Sequence, residues 1–157
     1  MKKKLSHISP SGSAAMVNIS EKRSTVRTAR AKATVNVGEE ILALLNDNEI
    51  VLKKGPVFHT AIIAGVMGAK RTSDLIPLCH PIALENCQVN ITVKGSKILI
   101  ETSATTTGKT GVEMEALTAA SVAALTVYDM CKSVSHGIVI ENIMLLEKRG
   151  GKSDFMM

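Results

Sequence analysis

Residues 87–105 read CQVNITVKGSKILIETSAT. Cys87 to Val93 and Lys97 to Thr105 each alternate apolar with polar side chains, and Gly95-Ser96 breaks the pattern between them. A period of two puts alternate residues on opposite faces of a strand, and a short glycine-containing break joins two such runs as a β-hairpin. Downstream, Thr110 to Val134 carries the strongest helical pattern, opened by Thr110-x-x-Glu113 as a candidate capping box. Ile138 to Leu146 alternates again and is predicted to be the last strand. Upstream, Thr25 to Val37 (TVRTARAKATVNV) alternates as a first strand, Glu39 to Asn46 reads as a short helix with acidic residues in its first turn, and Val57 to Arg71 as a longer one. That second helix ends on Lys70 and Arg71, where the dipole favours cations, and its internal Gly65 and Gly68 suggest close packing against another backbone. The order strand, helix, strand, strand, helix, strand predicts an α+β fold, a ferredoxin-like sandwich with helices packed on one face of an antiparallel sheet. The helix at 39–46 is an extra.

The 157 residues suit a single domain, 1–157, large enough to bury a core, with tails expected at 1–15 and about 150–157. Apolar residues make up 45% and charged residues 21%, as in ordinary folded proteins, but aromatics are only 2%. The core must therefore be built from Ala, Val, Ile, Leu and Met. A formal charge of +5 and a pI near 9.2 favour anionic partners. Scarce aromatics argue against single-stranded nucleic acid, where bases stack on rings, so a polyphosphate-sized ligand is the better expectation. Lys2-Lys3-Lys4 are followed by no apolar run of a secretory signal, and AIIAGVMGA is too short to span a bilayer. Three scattered cysteines fit reduced thiols, and a cytoplasmic location without membrane association is expected.

Three segments carry candidate chemistry. Gly108-Lys109-Thr110 ends like a phosphate-binding P-loop, but Ser103 stands where its first glycine is required, and the loop is too short to wrap phosphates. Glu113 and Glu115 fall in the following helix's first turn; the capping box explains the first, and an exposed carboxylate near a helix N-terminus needs no further reason. Asp129 and Lys132 in TVYDMCK share a helix face, either as a surface ion pair or as a proton-transfer pair. Glu115 and Asp129 are roughly 21 Å apart along a straight helix. They cannot meet at one small reacting centre within one subunit, so one is structural or sites form between subunits. In KRTSDLIPLCHP, residues 70–81, Pro77 and Pro81 hold Cys79 and His80 in a stiff, non-helical stretch. Neighbours in extended chain point apart and no metal-ligand spacing is present, so no metal is expected. A rigid connector and an active-site histidine both remain open.

With KRTSDLIPLCHP, TGKTGVEMEALTAASVAALTVYDMCK and LLEKRGGKS together, the chain resembles the molybdenum cofactor biosynthesis protein C family, the cyclic pyranopterin monophosphate synthases. The resemblance runs from MVNISEK at 16–22 to GGKS at 150–153. It implies a lyase converting 3′,8-cyclo-7,8-dihydroguanosine 5′-triphosphate to cyclic pyranopterin monophosphate, with release of pyrophosphate. Asp129, Lys132 and Lys54 match its catalytic positions. Leu78, Cys79, His80, Glu113, Met114, Glu115, Arg27 and Lys148 match substrate-contact positions, and Lys70 is a further candidate for the triphosphate. The resemblance also implies a ferredoxin-like fold, a homohexamer built as a trimer of dimers, and active sites at dimer interfaces. No cofactor is implied, though Mg²⁺ could accompany the triphosphate. Asn18 and Ser73 replace a frequent Asp and a frequent Trp or other bulky residue, and Pro56 replaces a frequent Asp after the Lys-Gly step. Lys53, next to Lys54, is not excluded as the active lysine.

Overall fold

Alternation builds the central strand. In β1 (Thr25–Asn36), Ala29, Ala31, Ala33 and Val35 are buried, while Arg30 between them faces solvent. The computed structural model describes residues 12–157. After β1 come α1 (Gly38–Leu42), β2 (Leu45–Asn46), β3 (Glu49–Leu52), β4 (Gly55–Pro56), α2 (Val57–Lys70), α3 (Thr72–Leu75), β5 (Asn86–Lys94), β6 (Lys97–Gly108), α4 (Glu113–Cys131), β7 (Val139–Arg149) and β8 (Phe155–Met156).

The main sheet runs β5-β6-β1-β7-β8, with every pairing antiparallel. Its four long strands therefore lie in the spatial order second, third, first, fourth, which is the ferredoxin-like arrangement. The hairpin forms as read from the sequence, with Gly95 at φ +59° in its turn and Lys94 opposite Lys97. α4 lies across β1 and β6, and α2 packs beside it. Small side chains permit this. Ala116, Ala119, Ala120, Ala123 and Ala124 are all buried, and the buried Thr102 hydroxyl of β6 donates to the Ala116 carbonyl at 2.7 Å. Gly65 and Gly68 do mark a close approach. A Cβ on Gly65 would lie 3.0 Å from the Ala119 carbonyl oxygen, and one on Gly68 2.7 Å from Val122 Cγ2.

Three local expectations change. The helix predicted over 39–46 stops at Leu42, and the chain turns into a small second sheet, β2-β3-β4. Asp47 and Asn48 both adopt positive φ (47° and 60°), which closes Leu45–Ile50 as a tight two-residue hairpin. The capping box does not form: Val112 is the N-cap of α4, with no side-chain cap. In the C-terminal stretch expected as a tail, β8 pairs with β7, and Gly150 N–H donates to Asp154 at 3.1 Å. Of the N-terminal tail expected at 1–15, residues 1–11 lie outside the described part. Among the described residues, no helix is long and apolar enough to cross a membrane.

Candidate active site

The segment KRTSDLIPLCHP borders a cleft of about 490 Å³ at the N-terminal end of α4. Leu78, Cys79 and His80 line one side, and Glu113, Met114 and Glu115 line the other. Lys148, from β7, closes an edge and pairs with Glu113 at 3.1 Å. Eight of the expected residues thus converge once Arg27 is added from the adjoining hollow, which Lys148 and Glu113 share.

His80 has a defined orientation. Its Nε2 lies 2.8 Å from the Val17 carbonyl oxygen, which can only accept, so Nε2 carries the proton. In the neutral ring Nδ1 is then left as an acceptor. Burial first, and then the Glu115 charge, push the Cys79 thiol above the usual cysteine value, which disfavours the thiolate.

Glu115 departs from the exposed carboxylate expected of it. It is only 3% exposed. Burial raises its pKa to about 7, with a smaller push from Glu113 and an opposing pull from its own backbone N–H. A carboxyl that titrates near neutrality can both give and take a proton, which is the property asked of a general acid or base.

Beside the cleft, two hollows of about 180 and 370 Å³ share Gly111 with it. Arg27, Lys148 and Lys152 line the first, and Lys22, Arg23 and Lys109 the second. Arg27 is fixed by a bond from Nε to the Gly108 carbonyl at 2.9 Å. Lys109 donates to the Ser20 carbonyl at 2.7 Å, so it and His80 hold the segment 17–20 along the cleft. This cationic shelf suits an extended polyanion. Lys22, Arg23, Lys109 and Lys152 carry no periodic signal in the sequence, and only the folded loops bring them together.

The remaining expected residues lie at the other end of α4. Asp129 receives Lys132 Nζ at 2.7 Å on Oδ1 and Lys54 Nζ at 2.9 Å on Oδ2. Lys54 also reaches the Asp129 carbonyl at 3.3 Å, so Lys54 rather than Lys53 takes the Asp129 contact. The hydrogen bonds from Lys132 and then Lys54, reinforced by their charges, lower Asp129 to about 2. Lys132 is raised in turn by Asp129. Asp129 thus stays a carboxylate near neutrality and orients both lysine side chains. Their side chains are about half exposed, at 52%, 55% and 51% for Lys54, Asp129 and Lys132. Lys70 joins neither group within the chain: it does not line the cleft, and its charge only partly offsets the burial that raises the nearby Cys87 thiol. Among the described residues, no cluster of three or more His, Cys, Asp or Glu could hold a metal ion.

Two comparisons with known proteins match most of the chain. A family model described as "MoaC family" matches residues 16–151. The protein named Molybdenum cofactor biosynthesis protein 1, from Drosophila melanogaster, is 54% identical over 153 residues. That alignment covers 96% of this chain and 27% of the fly protein, so the chain spans about a quarter of that relative's length.

Proposed function

The chain belongs to the MoaC family, and from that premise we propose that it is an enzyme of molybdenum cofactor biosynthesis. The reaction is that of a cyclic pyranopterin monophosphate synthase. 3′,8-Cyclo-7,8-dihydroguanosine 5′-triphosphate enters, cyclic pyranopterin monophosphate forms, and pyrophosphate leaves. One observation carries the reading. The candidate residues form two groups at opposite ends of α4, each chemically incomplete. The cleft end offers a cationic shelf, an oriented histidine and a buried carboxyl that titrates near pH 7. The Lys54-Asp129-Lys132 end offers fixed ammonium groups but lies open to water.

A dimer that sets the cleft of one subunit against the ion-pair cluster of the other completes the site and shields it. Ile63 and Met67 on α2 and Leu125 on α4 expose 62%, 49% and 59% of their surface, as expected of residues that subunits bury together. The assembly is a homohexamer, a trimer of such dimers. In the completed site Arg27, Lys148 and their cationic neighbours hold the triphosphate and neutralise pyrophosphate as it departs. Glu115, Lys54 and Lys132 move protons while the purine-derived ring opens and the pyran closes. His80 presents Nδ1 to a substrate hydroxyl.

Purified protein incubated with the cyclic nucleotide triphosphate should release pyrophosphate, and Asp129→Asn should slow this by about 100-fold. Full turnover by Asp129→Asn would reduce Asp129 to a structural residue. No pyrophosphate from the wild type would defeat the reading.

A further inference from the structure

α2 starts without a cap of its own. Pro56 occupies its N-cap with extended backbone (φ −71°, ψ 124°), and no side chain at that position bonds the helix. The acceptor comes from Glu49, at the start of β3. Its Oε1 accepts the Phe58 N–H at 2.8 Å, and its Oε2 accepts the His59 N–H at 3.1 Å. Oε1 also takes the Ile50 N–H at 2.8 Å, and Oε2 lies 2.7 Å from His59 Nδ1. Burial alone would raise this carboxyl, yet the hydrogen bonds outweigh it and hold Glu49 below the usual glutamate value. These bonds span two elements: the carboxylate belongs to the β3–β4 hairpin, and three of its four partner atoms lie on the first turn of α2.

The same hairpin carries Lys54 in its turn, between Leu52 and Gly55. Within β3 and β4 only Ile50 is fully buried, Leu52 packs partly buried against the core, and Val51 is 69% exposed, so few side chains anchor the hairpin. We propose that Glu49 is a positioning residue for Lys54: its carboxylate supplies the helix cap that Pro56 lacks and thereby ties the lysine-bearing hairpin to α2, which holds Lys54 against Asp129. This rests on the reading above in that Lys54 acts on the substrate; the tie itself stands on the hydrogen bonds.

Glu49→Gln in the full chain keeps the side chain's size but leaves one accepting oxygen and turns an NH₂ toward donors. Two measurements follow. Competitive acetylation read by peptide mass compares Lys54 with its exposed neighbour Lys53, and turnover of the cyclic nucleotide triphosphate gives kcat and KM. Released from Asp129, Lys54 should label severalfold faster relative to Lys53. kcat should fall by about tenfold or more, with KM less affected because the cleft is untouched. An unchanged labelling ratio with kcat within about twofold of wild type would overturn the proposal. Adding Pro56→Asp to Glu49→Gln returns an acceptor to the helix from its own N-cap position, without retying β3 to α2. Thermal stability should then recover while kcat stays low; recovery of both would show that Glu49 only caps α2, and would also overturn it. If wild-type protein releases no pyrophosphate, the enzymatic reading fails, and the labelling ratio still decides the tie.

Discussion

Subunits carrying His80→Ala mixed with subunits carrying Lys132→Ala should recover activity that neither has alone. The two residues belong to groups at opposite ends of α4, where Glu115 and Asp129 stand roughly 21 Å apart. If each site takes its cleft from one subunit and its ion-pair cluster from the other, a mixed dimer has one doubly damaged site and one intact site. Random reassociation makes about half of the dimers mixed, so about a quarter of wild-type turnover should return. Lys54→Ala mixed with Lys132→Ala is the control. Both contact the same Asp129 within one chain, so every site keeps a lesion and turnover stays at the level of the single variants. Native mass spectrometry of differently tagged subunits verifies exchange, and pyrophosphate release reads activity. Verified exchange without recovery in the first mixture, or recovery in the control, would refute a site shared between subunits.

Glu115 supplies a pH test. Its pKa rises from 4.5 to about 7 on folding, so the folded state holds the proton more tightly, and the stabilisation present below pH 4.5 is lost as pH rises toward 7. Relative to Glu115→Gln, wild type should lose up to about 3 kcal/mol between pH 4.5 and 8, read by urea unfolding; parallel profiles would contradict the buried, titrating carboxyl. In the activity profile, an inflection near pH 7 should disappear in Glu115→Gln and persist in Asp129→Asn, because Asp129 at about 2 does not titrate there. Gly68→Ala should destabilise by about 1–3 kcal/mol, although alanine favours a helix, because its Cβ meets the branched Val122 at 2.7 Å. A rise in melting temperature would show that α2 and α4 can part there at little cost.

Much of this architecture is legible in residue order. The alternation of 87–105 and of 25–37 and the long run of 110–134 locate the hairpin, the central strand and α4, because one-sided burial imposes a period on each. The two internal glycines of α2 point to the close approach that Ala119 and Val122 make. The three-strand element at 45–56 was hidden because its strands are two to four residues long, too short for periodicity to register. Asn46-Asp47-Asn48 was its signal, since Asn and Asp tolerate the positive φ that the turn needs. Glu113 looked like a capping residue; Lys148, distant in sequence, engages its carboxylate instead. The burial of Glu115 was invisible, since helix spacing places a residue on a face without saying what covers that face. Segment resemblance marked His80, Asp129 and Lys132, and only the fold divided them between two ends of one helix.

The central claim is the reaction. Incubation of the purified protein with 3′,8-cyclo-7,8-dihydroguanosine 5′-triphosphate, with both products quantified by mass and by pyrophosphate assay, tests it most directly. Equimolar cyclic pyranopterin monophosphate and pyrophosphate are predicted, and both should be lost in Lys132→Ala. Recovery of the triphosphate unchanged, or pyrophosphate without the pterin, would contradict it.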